Sequence, residues 1–118
     1  MKNYFSNSEI KCKCCNLIIK NDRLLSMLNI ARDLAKIPFI INSWCRCSAN
    51  NELAGGSPTS SHLKGLAVDI RVKGFKDRFT IVNALLKAGF NRLGLSDSFV
   101  HADIDTSKKD EIIWLYKK

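Results

Sequence analysis

From Asp22 to Ile37, apolar side chains return at helical intervals. Leu24, Leu28, Ala31 and Ala35 mark one face, with Leu25 and Leu34 beside it, so the segment predicts an amphipathic helix. Asn21 or Asp22 can cap its first N–H groups, and Pro38 stops it. Phe39-Ile40-Ile41 reads as a short buried strand, and Arg46 to Ser61, rich in Asn, Gly and Ser, reads as a loop. The apolar pattern resumes at Leu66, and Ala67 to Val72 reads as a strand. Lys76 to Ala88 predicts a second helix with Phe79, Val82, Leu85 and Leu86 as its buried side and Gly89 as its stop. Asn91 to Asp97 reads as a turn and short strand, and Phe99 to Ile104 as a strand. Glu111 to Tyr116 predicts a last strand, whose apolar run is too continuous to assign a face. This order predicts one α+β domain over residues 1–118, with a small, mainly antiparallel sheet flanked by helices. The basic end after Tyr116 is expected to fray.

Composition narrows the class. With 46% apolar residues the chain is globular and not a disordered tail. Its apolar runs, such as Ile37 to Ile41, fall far short of a membrane span, so no membrane insertion is expected. The first residues, Met1 to Asn7, lack the apolar stretch of a signal peptide, so cytoplasmic synthesis is expected. The net charge of +8, from 19 basic and 11 acidic residues, favours an anionic partner. Nucleic acid, membrane surface and acidic wall polymer all qualify. No window carries the clustered Lys/Arg of a nucleic-acid patch; Lys108-Lys109 and Lys117-Lys118 are short pairs that read as solvated surface. No specific nucleic-acid partner is expected.

Five cysteines are many for this length. Cys12, Cys14 and Cys15 lie together, as do Cys45 and Cys47. Three states stay open: a structural zinc site on Cys12, Cys15, Cys45 and Cys47; one or two disulfides between the clusters; or buried free thiols. The odd count leaves at least one thiol outside any intramolecular disulfide scheme.

The chemistry-bearing residues gather in two segments, Ser60 to Ile70 and Phe99 to Asp103. They hold both histidines of the chain, His62 and His101, together with Asp69 and Asp103. Imidazole and carboxylate suit zinc, which keeps one position open when catalytic. Gly65 breaks the helical reading between His62 and Asp69, which places His62 on a loop edge and Asp69 on the following strand. Sheet pairing can bring His101 to the same point. Each residue also has an ordinary reading: Asp69 paired with Arg71, a histidine as a partly buried hydrogen-bonding group.

The run Ser60-Ser61-His62-Leu63-Lys64-Gly65-Leu66-Ala67-Val68-Asp69 reproduces the pattern Ser-x-His-x-x-Gly-x-Ala-x-Asp without a gap. Phe99-Val100-His101-Ala102-Asp103 gives Phe-Val-His-x-Asp, Ser43 to Asn51 gives Ser-x-x-Arg-x-x-x-x-Asn, and Cys12 to Cys15 gives Cys-x-x-Cys. In these ordered elements the chain resembles the peptidase M15 class of zinc peptidases. The resemblance is to the branch typified by the catalytic domain of zinc D-alanyl-D-alanine carboxypeptidases, with its hedgehog-like fold. It implies a Zn2+ cofactor, with His62, Asp69 and His101 as ligands, and bacterial peptidoglycan as substrate. Arg46 is then the fixed cation for a substrate carboxylate or developing oxyanion. Ser60 orients His62 or bonds the peptide, and Asn51 fixes the loop or donates to substrate. Related chains often carry an acid three positions before the last ligand histidine; here that place is Ser98. Asp97 or Asp103 is then the general base, and Asp103 has the alternative role of holding a ligand ring nitrogen.

The resemblance and the basic charge suit a monomeric lytic endopeptidase of phage or prophage type. Such an enzyme reaches the wall after membrane opening or non-classical export. A bacterial carboxypeptidase and a non-catalytic zinc module, as in the hedgehog signalling domain, are the alternatives.

Overall fold

The structure is a computed structural model that describes residues 2–116, so the basic end after Tyr116 lies outside the described residues. The elements are α1 (Asn7–Ile10), α2 (Asp22–Ala35), β1 (Ile41–Ser43), α3 (Ser48–Leu53), a 3-10 turn (Ser61–Lys64), β2 (Ala67–Arg71), α4 (Phe75–Lys87), β3 (Arg92–Leu95), β4 (Phe99–Asp103) and β5 (Ile112–Leu115). The five strands form one sheet in the order β1-β2-β4-β3-β5. All neighbours are antiparallel except β3 and β5, which run parallel. The fold is α+β, a mixed sheet flanked by helices.

The side chains of the strands alternate, and the two faces do different things. Val68 and Ile70 pair with Ala102 and Val100, and all four are buried in the core with Leu93 of β3. Against them pack α2 and α4, which also contact each other. The predicted stripe of α2 is the buried one: Leu24, Leu28 and Ala31 are fully covered. Full burial of a leucine is worth about 1.5–3 kcal/mol, which fixes the helix on the sheet. Asn21 caps α2 by accepting from Leu24 N at 2.9 Å. The helix stops at Ala35 because Lys36 takes a left-handed conformation (φ 59°) ahead of Pro38. The other face of the sheet presents Asp69, His101, Asp103 and Gly94, and this face carries polar chemistry.

Several expectations are corrected. The strand expected at Phe39 to Ile41 begins only at Ile41 and continues to Ser43, with Ile40 exposed. The expected loop between Arg46 and Ser61 contains α3. In α4 the buried side is Ile81, Ala84 and Leu85, whereas Phe79 (72% exposed) and Leu86 face solvent. Leu85 is buried and Val82 packs on the core as expected, but contact with α2 and β4 rotates the buried side toward Ile81 and Ala84. β5 is a sheet edge on which Ile113 and Leu115 are exposed, while Trp114 turns towards the polar face and meets His101. A short α1 before the cysteines, absent from the sequence reading, buries Ile10, and the preceding Phe5 ring meets Trp44 edge-on at 5.6 Å.

Candidate metal centre

His62, Asp69 and His101 come together, all three buried, with one potential ligand atom from each lying within 4.8 Å of the others. Asp69 and His101 are cross-strand partners in the β2–β4 ladder. His62 arrives from the 3-10 turn, which ends at Gly65 in the left-handed region (φ 69°). A Cβ at Gly65 would fall 2.6 Å from the Ile19 carbonyl oxygen, so this turn requires glycine. Ser60 begins the turn, its hydroxyl accepting from His62 N at 3.2 Å.

Hydrogen bonds set the ring orientations. His62 Nδ1 donates its proton to the Trp44 carbonyl at 2.6 Å, which leaves Nε2 as a lone pair facing Asp69 Oδ1 at 3.2 Å. His101 Nε2 donates to Asp103 Oδ2 at 2.8 Å, and its Nδ1 faces the same Asp69 oxygen at 3.0 Å. Two imidazole lone pairs and a carboxylate oxygen therefore converge in a buried place. Such a set repels itself unless a proton or metal cation lies between. Two nitrogens and one oxygen at this spacing suit zinc with an open fourth position. Burial alone would push Asp69 up, yet hydrogen bonds and charge from His101 and His62 hold it well below the usual carboxylate range. Burial likewise opposes charge on His101, but its bonds to Asp103 and Asp69 win and raise its pKa.

A layer of supporting contacts surrounds the three. Asp103 Oδ1 accepts from Arg92 Nε at 2.7 Å and from the backbone N–H of Asp105 at 3.1 Å. Both oxygens of Asp103 are thus occupied. Burial would raise its pKa, but His101 and Arg92 keep it low. Arg46 is anchored three ways: Nε to Ser43 Oγ (3.0 Å), Nη1 to Asn51 Oδ1 (3.2 Å) and Nη2 to Asp69 Oδ2 (3.3 Å). Each terminal guanidinium nitrogen keeps a second N–H for a ligand. The backbone also couples the two segments, since Arg46 N donates to His62 O at 3.1 Å.

An open cavity of about 390 Å³ lies over this layer. Arg46, Ser60, His62, Asp69, His101 and Asp103 line it. Trp114, Tyr116 and Lys108 complete its far wall, and the sequence reading missed all three. Trp114 lies against His101 at 5.4 Å between ring centres. Gly94 makes room for it: a Cβ there would stand 2.6 Å from the indole. Burial, with the Asp69 and Asp103 charges, pushes the Tyr116 phenol up, so it stays protonated at neutral pH.

One expected role does not match the placement, and another narrows to one of its two alternatives. Asp97 is exposed in the turn between β3 and β4 and does not line the cavity, because the tight pairing of Ser96 N with Phe99 O directs that turn to the sheet's end. Asn51 is buried with its amide committed, accepting from Arg46 and donating to Ser57 O at 2.8 Å, so it fixes the loop. Asp105 is a further missed residue. It is buried and takes bonds from Ser61 Oγ (2.8 Å), Lys64 Nζ (3.1 Å) and Ser107, locking the His62 turn to the end of β4. The alternation His101, Asp103, Asp105 was its signal in the chain.

A second group of side chains able to hold a metal, Cys12, Cys14, Cys15 and Cys47, lies outside this cavity. Cys45, expected among them, is excluded: it is buried and its thiol donates to Ile10 O at 2.8 Å. All five cysteines are free, so the disulfide alternative is not formed.

An α+β sheet carrying a buried His-Asp-His set under an open cleft is an arrangement able to hold a metal ion within reach of a ligand. The family model described as Peptidase M15 matches residues 3–103. The chain belongs to the peptidase M15 family, and its coarse activity is that of a metallopeptidase. The match ends at Asp103, so β5 with Trp114 and Tyr116 lies beyond it. No curated protein matches the chain significantly.

Proposed function

We propose that this protein is a zinc-dependent peptidase that hydrolyses peptide bonds in bacterial peptidoglycan, in stem peptides or cross-bridges, as an endolysin-type endopeptidase. The observation that carries this reading is the convergence of His62 Nε2, Asp69 Oδ1 and His101 Nδ1 beneath a cavity flanked by Arg46. A zinc ion held by these atoms would supply Lewis-acid polarisation of the scissile carbonyl and acidify an attacking water. The chain's own residues do the rest. Arg46 presents its remaining N–H groups to a substrate carboxylate or to the oxygen on which charge develops. Tyr116, protonated and at the cavity wall, donates to the same region. Asp103 holds the His101 ring in place instead of taking a proton, because both of its oxygens are engaged. The open cavity gives solvent access, by which the proton lost from an attacking water would leave and the one needed by the departing amine would arrive.

Arg46 also favours a second reading, a D-alanyl-D-alanine carboxypeptidase, since a pinned guanidinium suits a terminal carboxylate. Digestion of purified peptidoglycan, with mass spectrometry of the new ends, decides between them. Loss of cross-linked dimers with new internal amino ends is expected; release of terminal D-alanine alone would favour the carboxypeptidase. New reducing sugar ends without new peptide ends would overturn both. On this reading the enzyme acts as a monomer and meets the wall after membrane opening or export. Among the described residues, no helix is long and apolar enough to cross a membrane.

A further inference from the structure

We propose that Cys12, Cys14, Cys15 and Cys47 bind a structural zinc ion, separate from the His-Asp-His centre, that clamps the Arg46 loop to the N-terminal segment. The geometry points to a metal tetrathiolate. The four sulfurs lie within 4.8 Å of one another. Cys12 and Cys14 are 3.8 Å apart, Cys12 and Cys47 3.7 Å, and Cys14 and Cys47 3.3 Å. Zinc–sulfur bonds of about 2.3 Å at tetrahedral angles give sulfur–sulfur edges of about 3.8 Å. A disulfide needs about 2.05 Å, so all three pairs are too far apart for that bond.

Packing does not explain the cluster. A free cysteine kept as a small hydrophobe is buried, yet Cys14 and Cys15 are exposed and only Cys12 is buried. Four thiols are nevertheless brought to one point from segments 32 to 35 residues apart. Backbone N–H groups already face the sulfurs as they would face thiolates: Cys47 N to Cys12 Sγ and Asn50 N to Cys47 Sγ, both at 3.4 Å. Three of the thiols come from one tight turn, closed by Cys12 N to Leu17 O at 2.9 Å. The fourth follows Arg46 directly.

Arg46 stands between Cys45, whose thiol is tied to the Ile10 carbonyl, and Cys47, the zinc ligand. The clamp therefore fixes the backbone from which the guanidinium reaches Asp69. The metal assignment does not rest on the peptidase reading.

The test is metal analysis of the full-length chain purified with zinc present. About two zinc ions per chain are expected, one for each set of ligands. Cys14→Ser/Cys15→Ser should hold about one, as should His62→Ala, whereas Cys45→Ala should keep two. Cobalt exchanged into His62→Ala should show intense thiolate-to-cobalt charge transfer. A single zinc in the wild type that His62→Ala loses, two in the double cysteine variant, or cobalt without thiolate bands would each overturn the proposal. Should the double variant not fold, alkylation of the wild type decides. Cys14 and Cys15 should resist labelling in the zinc-loaded chain and react after chelation. Rapid labelling of both with zinc bound would sink the site.

Discussion

Asp69 and His101 stand opposite each other in the β2–β4 ladder, with Oδ1 and Nδ1 3.0 Å apart. The same Asp69 oxygen faces His62 Nε2 at 3.2 Å, and its other oxygen meets Arg46. One carboxylate thus joins the two facing ring nitrogens to the Arg46 guanidinium at the cavity. The rings have no freedom to turn away, because Trp44 O holds one and Asp103 the other.

Metal binding at this centre should therefore depend on all three residues. His62→Ala and Asp69→Ala are each expected to remove one zinc per chain and to reduce peptide hydrolysis to background. Atomic spectrometry of dialysed protein, alongside peptidoglycan digestion, checks both. Retention of full zinc by Asp69→Ala would show that the ion sits elsewhere.

Asp103 and Asp97 should separate. Asp103→Asn should fold but bind zinc about 10- to 100-fold more weakly, the usual effect of losing a partner that orients a ligand. Asp97→Asn should keep near-normal turnover, since its side chain is outside the cavity. Competition with a chromophoric chelator measures the first effect and steady-state kinetics the second. A loss of about 100-fold or more in Asp97→Asn, with zinc intact, would restore it as a general base.

Arg46→Lys should be nearly as damaging as Arg46→Ala, because an ammonium cannot reproduce the fork held by Ser43, Asn51 and Asp69. A drop in kcat/KM of about 10- to 100-fold is expected, in line with the loss of a charge-assisted hydrogen bond. Asn51→Ala should lower kcat/KM in the same direction but less, by loosening the guanidinium. Paired assays on muropeptides with free and amidated carboxyl ends would show whether the arginine reads a terminal carboxylate.

Stability should carry an acid dependence through Asp105. Burial would raise this group, but Ser107, Ser61 and Lys64 outweigh it and hold the carboxyl well below its ordinary value. A lowered native pKa contributes stability that is present above the unfolded value of about 4 and is lost as pH falls through the native one. Asp105→Asn should thus be less stable than wild type at neutral pH, and the gap should close below about pH 4. Urea titrations at several pH values measure it. A gap that stays constant down the acid range would assign the loss to packing alone.

Much of the candidate site was legible in the chain because its residues sit in short, ordered motifs. Gly65 announces a turn by chemistry alone, and the two-residue period of a strand places His101 and Asp103 on one face without any knowledge of neighbours. The stripe Leu24, Leu28, Ala31 and Ala35 likewise carries its own burial. What the chain could not convey are choices between equivalents. In α4 only docking on α2 and β4 exposes Phe79 and buries Ile81. Cys45 and Cys14 are the same side chain, and only the path of the backbone sends one sulfur to the Ile10 carbonyl and the other to Cys47. Asp97 and Asp103 are both carboxylates near His101 in sequence, but strand direction puts one at an exposed turn and the other beside the ring. Local periodicity is a property of neighbours along the chain. Contacts such as Asp69 with His101, 32 residues apart, exist only once the sheet has closed.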